Sequence, residues 1–205
     1  MRKFDLDAWR GVEEAVRLED ERQRGAGLPP EKRYRALHPK SAQFLYQLVL
    51  AADVKNVVEV GMSAGYSTLW LARGCAATGG KVVSLERNAE IIEVAKGYFE
   101  LAGVAELITV RPGDARETLA TLAGPFDLAF VDGEKDEYVA YGRMLWPKLS
   151  AGASLVADNV LSHAEPTASF MEWLFGLDGA ATMVLEIGRG LAWTVKGNPA
   201  RRRER

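Results

Sequence analysis

One cysteine, Cys75, stands among 205 residues. A lone thiol excludes an internal disulfide and any thiolate cluster, so a metal held by this chain must sit on oxygen or imidazole ligands. An excess of one charge is lacking too: 26 Lys and Arg against 28 Asp and Glu leave a net charge of -2, and no global field favours nucleic acid. No apolar run approaches the roughly 20 residues needed to span a bilayer, and the charged start Met1-Arg2-Lys3-Phe4-Asp5 is unlike a signal peptide. The expectation is a cytoplasmic protein without membrane or nucleic-acid partners. What is present, 48% hydrophobic and 26% charged residues, suits one soluble globular domain over residues 1–205. Within it we distinguish an N-terminal helical extension (1–36), a core (37–197) and a basic tail (198–205), whose Arg201-Arg202-Arg203-Glu204-Arg205 reads as a solvated, frayed terminus.

The periodicity of the chain changes along its length. Residues 5–24 are charge-rich with Leu6, Trp9, Val12 and Val16 at helical spacing, which predicts an amphipathic helix on the outside of the core. Pro29-Pro30 breaks it, and after His38-Pro39-Lys40 a helix capped by Ser41 is expected to run through Leu50. Strand-like runs then stand at 56–60, 81–85, 107–110, 126–131 and 153–157, with helical patterns near 67–74, 89–102, 115–122 and 136–149. Such alternation implies a parallel sheet covered by helices on both faces. The end differs: residues 181–187 and 191–195 flank Gly188-Arg189-Gly190 and predict a hairpin.

In an open parallel sheet, ligands collect at the carboxyl ends of the strands. The first strand breaks at Glu59-Val60-Gly61-Met62-Ser63-Ala64-Gly65-Tyr66-Ser67, where Gly61 and Gly65 let the loop pass close under a ligand. The second ends in Glu86, placed to accept hydrogen bonds from a ribose diol. The third is followed by Gly113-Asp114-Ala115, the fourth by Asp132 and the fifth by Asp158-Asn159, so every major strand end carries an acid. A nicotinamide dehydrogenase is the first rival, but its G-x-G-x-x-G fingerprint needs a middle glycine, and here Met62-Ser63-Ala64 separate the two. A sulfonium cofactor has no phosphate to seat, and its positive centre suits an acid-lined cleft. The pattern therefore points to S-adenosylmethionine.

Taken together and in order, Glu59-Val60-Gly61 through Gly65-Tyr66-Ser67, Glu86, Gly113-Asp114-Ala115, Asp132 through Tyr138, and Asp158-Asn159-Val160 resemble the cation-dependent small-molecule O-methyltransferases. That family includes the catechol and caffeoyl-coenzyme A enzymes. The resemblance implies an α/β, Rossmann-like, doubly wound sheet of seven strands, mostly parallel with an antiparallel C-terminal strand and extra N-terminal helices. It also implies Mg²⁺ or another divalent cation, a small aromatic acceptor, and a homodimer, for which the Leu6/Trp9/Val12/Val16 face is the candidate contact. Gly61 and Gly65 would admit the methionine portion of the cofactor, and Tyr66 and Ser67 would lie near its carboxylate. Glu86 would take the ribose, Gly113, Asp114 and Ala115 the adenine edge, while Glu59 orients the loop or the ammonium group.

Asp132, Asp158 and Asn159 would supply three hard oxygen ligands and leave positions for water and substrate, which suits Mg²⁺. A purely architectural alternative has Asp158-Asn159 capping the next segment and Asp132 orienting a loop. Lys135 stands where the family places its general base. Beside the metal-dependent reading remain a metal-independent methyltransferase and a cofactor-binding protein without catalysis. The chain departs from the family at Arg189, since an Asp often precedes the Gly-Leu of the final hairpin in relatives. Arg189 could face an acidic acceptor or simply solvent. His38, Lys40 and His163 border the same region; Phe130, Met144 and Trp146 read as core, and Phe170 and Trp173 as a helix face in the core or at a pocket wall.

Overall fold

The computed structural model describes residues 4–197; the first three residues of the charged start and the basic tail lie outside them. Seven strands form one sheet: β1 (Asn56–Val60), β2 (Lys81–Glu86), β3 (Ile108–Pro112), β4 (Phe126–Val131), β5 (Leu149–Ala157), β6 (Ala180–Leu185) and β7 (Leu191–Lys196), in the spatial order β3-β2-β1-β4-β5-β7-β6. β1 pairs in parallel with β2 and β4, β2 with β3 and β4 with β5, while β7 runs antiparallel to both β5 and β6. The expected hairpin and the antiparallel last strand are therefore present. Chain direction across the sheet reverses between β1 and β4, which opens a crevice at their carboxyl ends.

Seven helices cover the sheet: α1 (Leu6–Gly25), α2 (Pro39–Ala51), α3 (Tyr66–Thr78), α4 (Ala89–Leu101), α5 (Ala115–Thr121), α6 (Tyr138–Leu145) and α7 (Ala164–Phe175). Leu45, Leu69, Ala95 and Phe99 of α2 to α4 pack with Val57 on one face, and Leu119, Leu145 and Phe170 of α5 to α7 pack with Val58 and Val60 on the other. The alternation of side chains along β1 thus feeds two apolar layers. Among the described residues no helix is long and apolar enough to cross a membrane.

Local chemistry moves several boundaries. Ser41 does not cap α2: the His38 ring accepts the Lys40 amide at 3.2 Å, Pro39 takes the first helical position, and Ser41 is buried inside the helix. Proline is pre-set for that first position and lacks the amide a cap would need to satisfy. The helical pattern expected over 136–149 ends at Leu145, because Pro147 tightens the next residues into a 3₁₀ turn, Trp146–Lys148. Phe130 and Phe170 are fully buried, whereas Met144, Trp146 and Trp173 are half-buried in a satellite cluster beside α6 and α7.

The apolar face of α1 is consumed within the chain. Trp9 is 1% and Val16 0% exposed, the Trp9 indole donates to the Leu69 carbonyl at 3.1 Å, and its ring meets Trp70 edge-on at 4.8 Å. The Arg73 guanidinium lies over Trp9 and Tyr46. This corrects the expected contact for a second copy: a face already packed against α3 offers a partner nothing.

Candidate active site

The crevice at the switch point opens into a cavity of about 280 Å³. Its floor is laced by backbone hydrogen bonds between successive strand ends: Gly61 to the Leu85 carbonyl (3.0 Å), Asp132 to the Val60 carbonyl (2.8 Å) and Asp158 to the Val131 carbonyl (3.0 Å). Each strand-end residue is thereby held in register with its neighbour. Gly61 has φ +92°, and a Cβ there would sit 2.5 Å from the Asp132 carbonyl oxygen. The glycine is needed because two strand ends cross at that point. Gly61→Ala should cost about 2–4 kcal/mol from overpacking and positive-φ strain; denaturant unfolding measures the loss.

Of the residues expected at the cofactor, Gly61, Tyr66, Ser67, Glu86, Gly113, Asp114, Ala115 and Asp132 line this cavity. Glu59 and Gly65 lie behind it. The Glu59 carboxylate is fully buried and accepts the hydroxyls of Ser67 and Thr68 at 2.5 Å and that of Ser84, tying β1 to β2 and to the start of α3. Burial, partly offset by these bonds, pushes its pKa up to about 6. A Cβ on Gly65 would meet the Phe99 ring at 2.5 Å, and its left-handed φ of +86° starts α3. Tyr66 turns its hydroxyl away to Glu13 on α1.

Glu86 gathers amides around it. Its carboxylate accepts Ser63 N at 2.8 Å and Arg87 N and Asn88 N at 2.9 Å, which fixes the acid at the cavity wall. Asp114 caps α5 through Arg116 N at 2.8 Å and pairs with the Arg116 guanidinium, which holds its carboxyl below the usual range. Sequence reasoning passed over Ser63 and the segment above it. Ser63 adopts φ 48° and its hydroxyl donates to the Tyr34 carbonyl at 2.5 Å, so residues 33–38 are drawn across the cavity. A loop with no periodicity carried no signal of that placement.

The second constellation is compact. Asp132 Oδ1 accepts Lys135 Nζ and Asn159 Nδ2, each at 2.8 Å, and Asn159 Nδ2 also reaches Asp158 Oδ2 at 2.8 Å. Lys135 donates as well to the Gly133 carbonyl at 3.0 Å, with its ammonium over the Tyr138 ring. Asp158 is 2% exposed and its Oδ1 has no hydrogen-bond partner. Burial, reinforced by the Asp132 charge, raises the Asp158 pKa to about 7. Asn159 has φ 69°, a left-handed conformation that asparagine tolerates. No three His, Cys, Asp or Glu side chains converge among the described residues; the set is two carboxylates and an amide. An orphaned buried carboxylate oxygen beside a second carboxylate is a donor set that fits a hard divalent cation. Arg189 and His163 border this end of the cavity, the His163 ring 2.9 Å from Ser162 Oγ.

With this geometry in view, comparisons with known proteins become specific. The model of a family described as O-methyltransferase matches residues 12–169. The chain is 42% identical over 127 residues to a catechol O-methyltransferase of Mycobacterium tuberculosis, covering 62% of this chain and 57% of that protein. It thus spans a little over half the length of these curated relatives, among them a catechol O-methyltransferase of Niastella koreensis. Among solved structures it resembles the O-methyltransferase of Bacillus cereus in complex with SAH, with a TM-score of 0.77 and 26% identity, over 91% of this chain and 90% of that one. The O-methyltransferase TomG of Streptomyces achromogenes, in complex with SAM, aligns with a TM-score of 0.77 and 25% identity over 90% of each chain.

Proposed function

The chain belongs to the O-methyltransferase family, and from that premise we propose that it transfers a methyl group from S-adenosylmethionine to one oxygen of a small aromatic acceptor bearing two neighbouring oxygens. The observation that carries this reading is the meeting of two sites in one crevice. A cofactor-sized wall built from Gly61, Ser67 and Glu86 adjoins the Asp132/Asp158/Asn159 set and Lys135. Cofactor-bound relatives of the same fold support the first half, and the orphaned Asp158 oxygen supports the second.

Each residue then has a task. The carboxylate of Glu86, already held by three amides, receives the ribose hydroxyls. The start of α3 at Tyr66 and Ser67 offers free amides to the methionine carboxylate. Asp132, Asp158 and the Asn159 amide, turned to present Oδ1, would hold Mg²⁺. When bound, that ion would acidify a chelated phenol and fix two oxygens in place. A phenol of pKa ~10 is otherwise a weak nucleophile at neutral pH.

Lys135, in its neutral amine form, would take the proton of the attacking hydroxyl. The oxygen lone pair forms the new C–O bond as the C–S bond breaks in line, its electron pair passing to sulfur, and a neutral thioether leaves. Residues 33–38 line the cavity and would shield that side of it from water during the transfer.

Isothermal titration with S-adenosylhomocysteine tests the cofactor half. Binding is expected, weakened at least about tenfold by Glu86→Ala through loss of charge-assisted hydrogen bonds to the diol. Equal affinities for the wild type and the variant would remove Glu86 from the site.

A further inference from the structure

The turn between β6 and β7 is built so that one side chain enters the cavity. Gly188 has φ +61°, and a Cβ there would lie 2.5 Å from Ser41 Oγ and 2.8 Å from His38 Cβ. Gly190 has φ +92°, and a Cβ there would lie 2.4 Å from Leu161 Cγ. The turn is therefore wedged between the first turn of α2 and the segment that follows Asp158-Asn159. Backbone bonds pin it there: the Arg189 carbonyl accepts Leu161 N at 3.2 Å and Ser162 N at 3.1 Å, and the Gly190 carbonyl accepts Val160 N at 3.1 Å. Of the turn's side chains only Arg189 lines the cavity, exposed on the same wall as Lys135, Asp158 and Asn159. Among the described residues its guanidinium has no hydrogen bond or ion pair, whereas Arg24, Arg87 and Arg116 each hold a carboxylate.

We infer that Arg189 anchors a carboxylate on the methyl acceptor, so that the acceptor class is an aromatic vicinal diol bearing a carboxylate rather than a neutral catechol. The inference rests on the function proposed above. A diol held by Asp132, Asp158 and Lys135 presents the far side of its ring to the rest of the cavity. The acid of the β6–β7 turn, Glu186, does not line the cavity; what the turn presents there is the Arg189 guanidinium, carried on a pinned backbone. Such a group matches a planar carboxylate with two parallel N–H···O bonds. The carboxylates sharing this wall, Asp132 and Asp158, would be engaged with the cation and the diol in the function proposed above, which leaves the guanidinium for a second anionic group.

The test pairs 3,4-dihydroxybenzoate with its neutral methyl ester, assayed with S-adenosylmethionine and Mg²⁺ on the wild type, Arg189→Gln and Arg189→Lys. The wild type is expected to favour the acid by about tenfold or more in kcat/KM, mainly through KM. Arg189→Gln should lower the acid-to-ester ratio by about 10- to 100-fold, and Arg189→Lys should restore part of it. A ratio unchanged in Arg189→Gln, or a wild type that prefers the ester, overturns the inference. Should neither compound turn over, titration of both into protein saturated with S-adenosylhomocysteine decides: acid preference lost in Arg189→Gln supports the anchor, and equal or absent binding of both overturns it. Failure of S-adenosylhomocysteine itself to bind would instead mark failure of the underlying function.

Discussion

Asp158→Asn is expected to lower methyl transfer by about three orders of magnitude, a loss of several kcal/mol of charge stabilisation at the reacting oxygen, and to raise the melting temperature of the cation-free protein at pH 8. The two effects have opposite signs because one carboxylate serves both. Asp158 is almost fully buried, one of its oxygens lacks a partner, and its pKa rises from 3.8 to about 7 in the folded protein. A carboxyl whose folded pKa lies above its unfolded value contributes stability that is present below about 4 and is lost as pH climbs to about 7. Above that, the native state carries an unfavourable charge that asparagine removes. The expected gain is about 2–6 °C at pH 8 and none at pH 4, read by thermal unfolding without added metal. Destabilisation at pH 8 together with loss of activity would show Asp158 to be an architectural cap.

Trp9→Ala is expected to cost about 3–5 kcal/mol. The indole is 1% exposed, bonds to the Leu69 carbonyl, packs edge-on against Trp70 and carries the Arg73 guanidinium on its face. Its removal leaves a cavity between α1 and α3 and loses the indole's hydrogen bond to the Leu69 carbonyl. Denaturant unfolding should show a lower midpoint with the sedimentation coefficient of the folded protein unchanged. A change in oligomeric state would return the α1 face to a role between chains.

That face shows where sequence reading stops. Helical spacing of Leu6, Trp9, Val12 and Val16 establishes that one side of α1 is buried, but periodicity has no memory of what buries it, and the partners are α3 and α4. Strand ends are more legible because each is an apolar run cut off by an acid or a glycine, and a parallel sheet gathers such ends on one edge. Asp132, Asp158 and Asn159 therefore came together as expected, with Lys135 beside them. What could not be read is three-dimensional bookkeeping of hydrogen bonds. Nothing local says that Asp158 keeps an unpartnered oxygen, or that the Ser63 hydroxyl draws residues 33–38 over the cavity. Ser84 was the one available hint at Glu59: a hydroxyl in the interior of an apolar strand needs a buried acceptor, and Glu59 is that acceptor.

The boundary of α2 teaches the same lesson on a smaller scale. Ser41 has the residue type of a cap, yet Pro39 already occupies the first helical position, which leaves the capping place to His38. Reading the proline before the serine would have moved the helix start by three residues.

The central claim is that oxygen ligands on two adjacent strand ends template methyl transfer to a vicinal diol. Transfer of labelled methyl from S-adenosylmethionine, run with Mg²⁺ and with a chelator on 3,4-dihydroxybenzoate and 4-hydroxybenzoate, tests it most directly. The account predicts a methylated diol only when Mg²⁺ is present and no product from the monophenol. Chelator-resistant methylation of the monophenol would contradict it and leave Asp132, Asp158 and Asn159 as architecture.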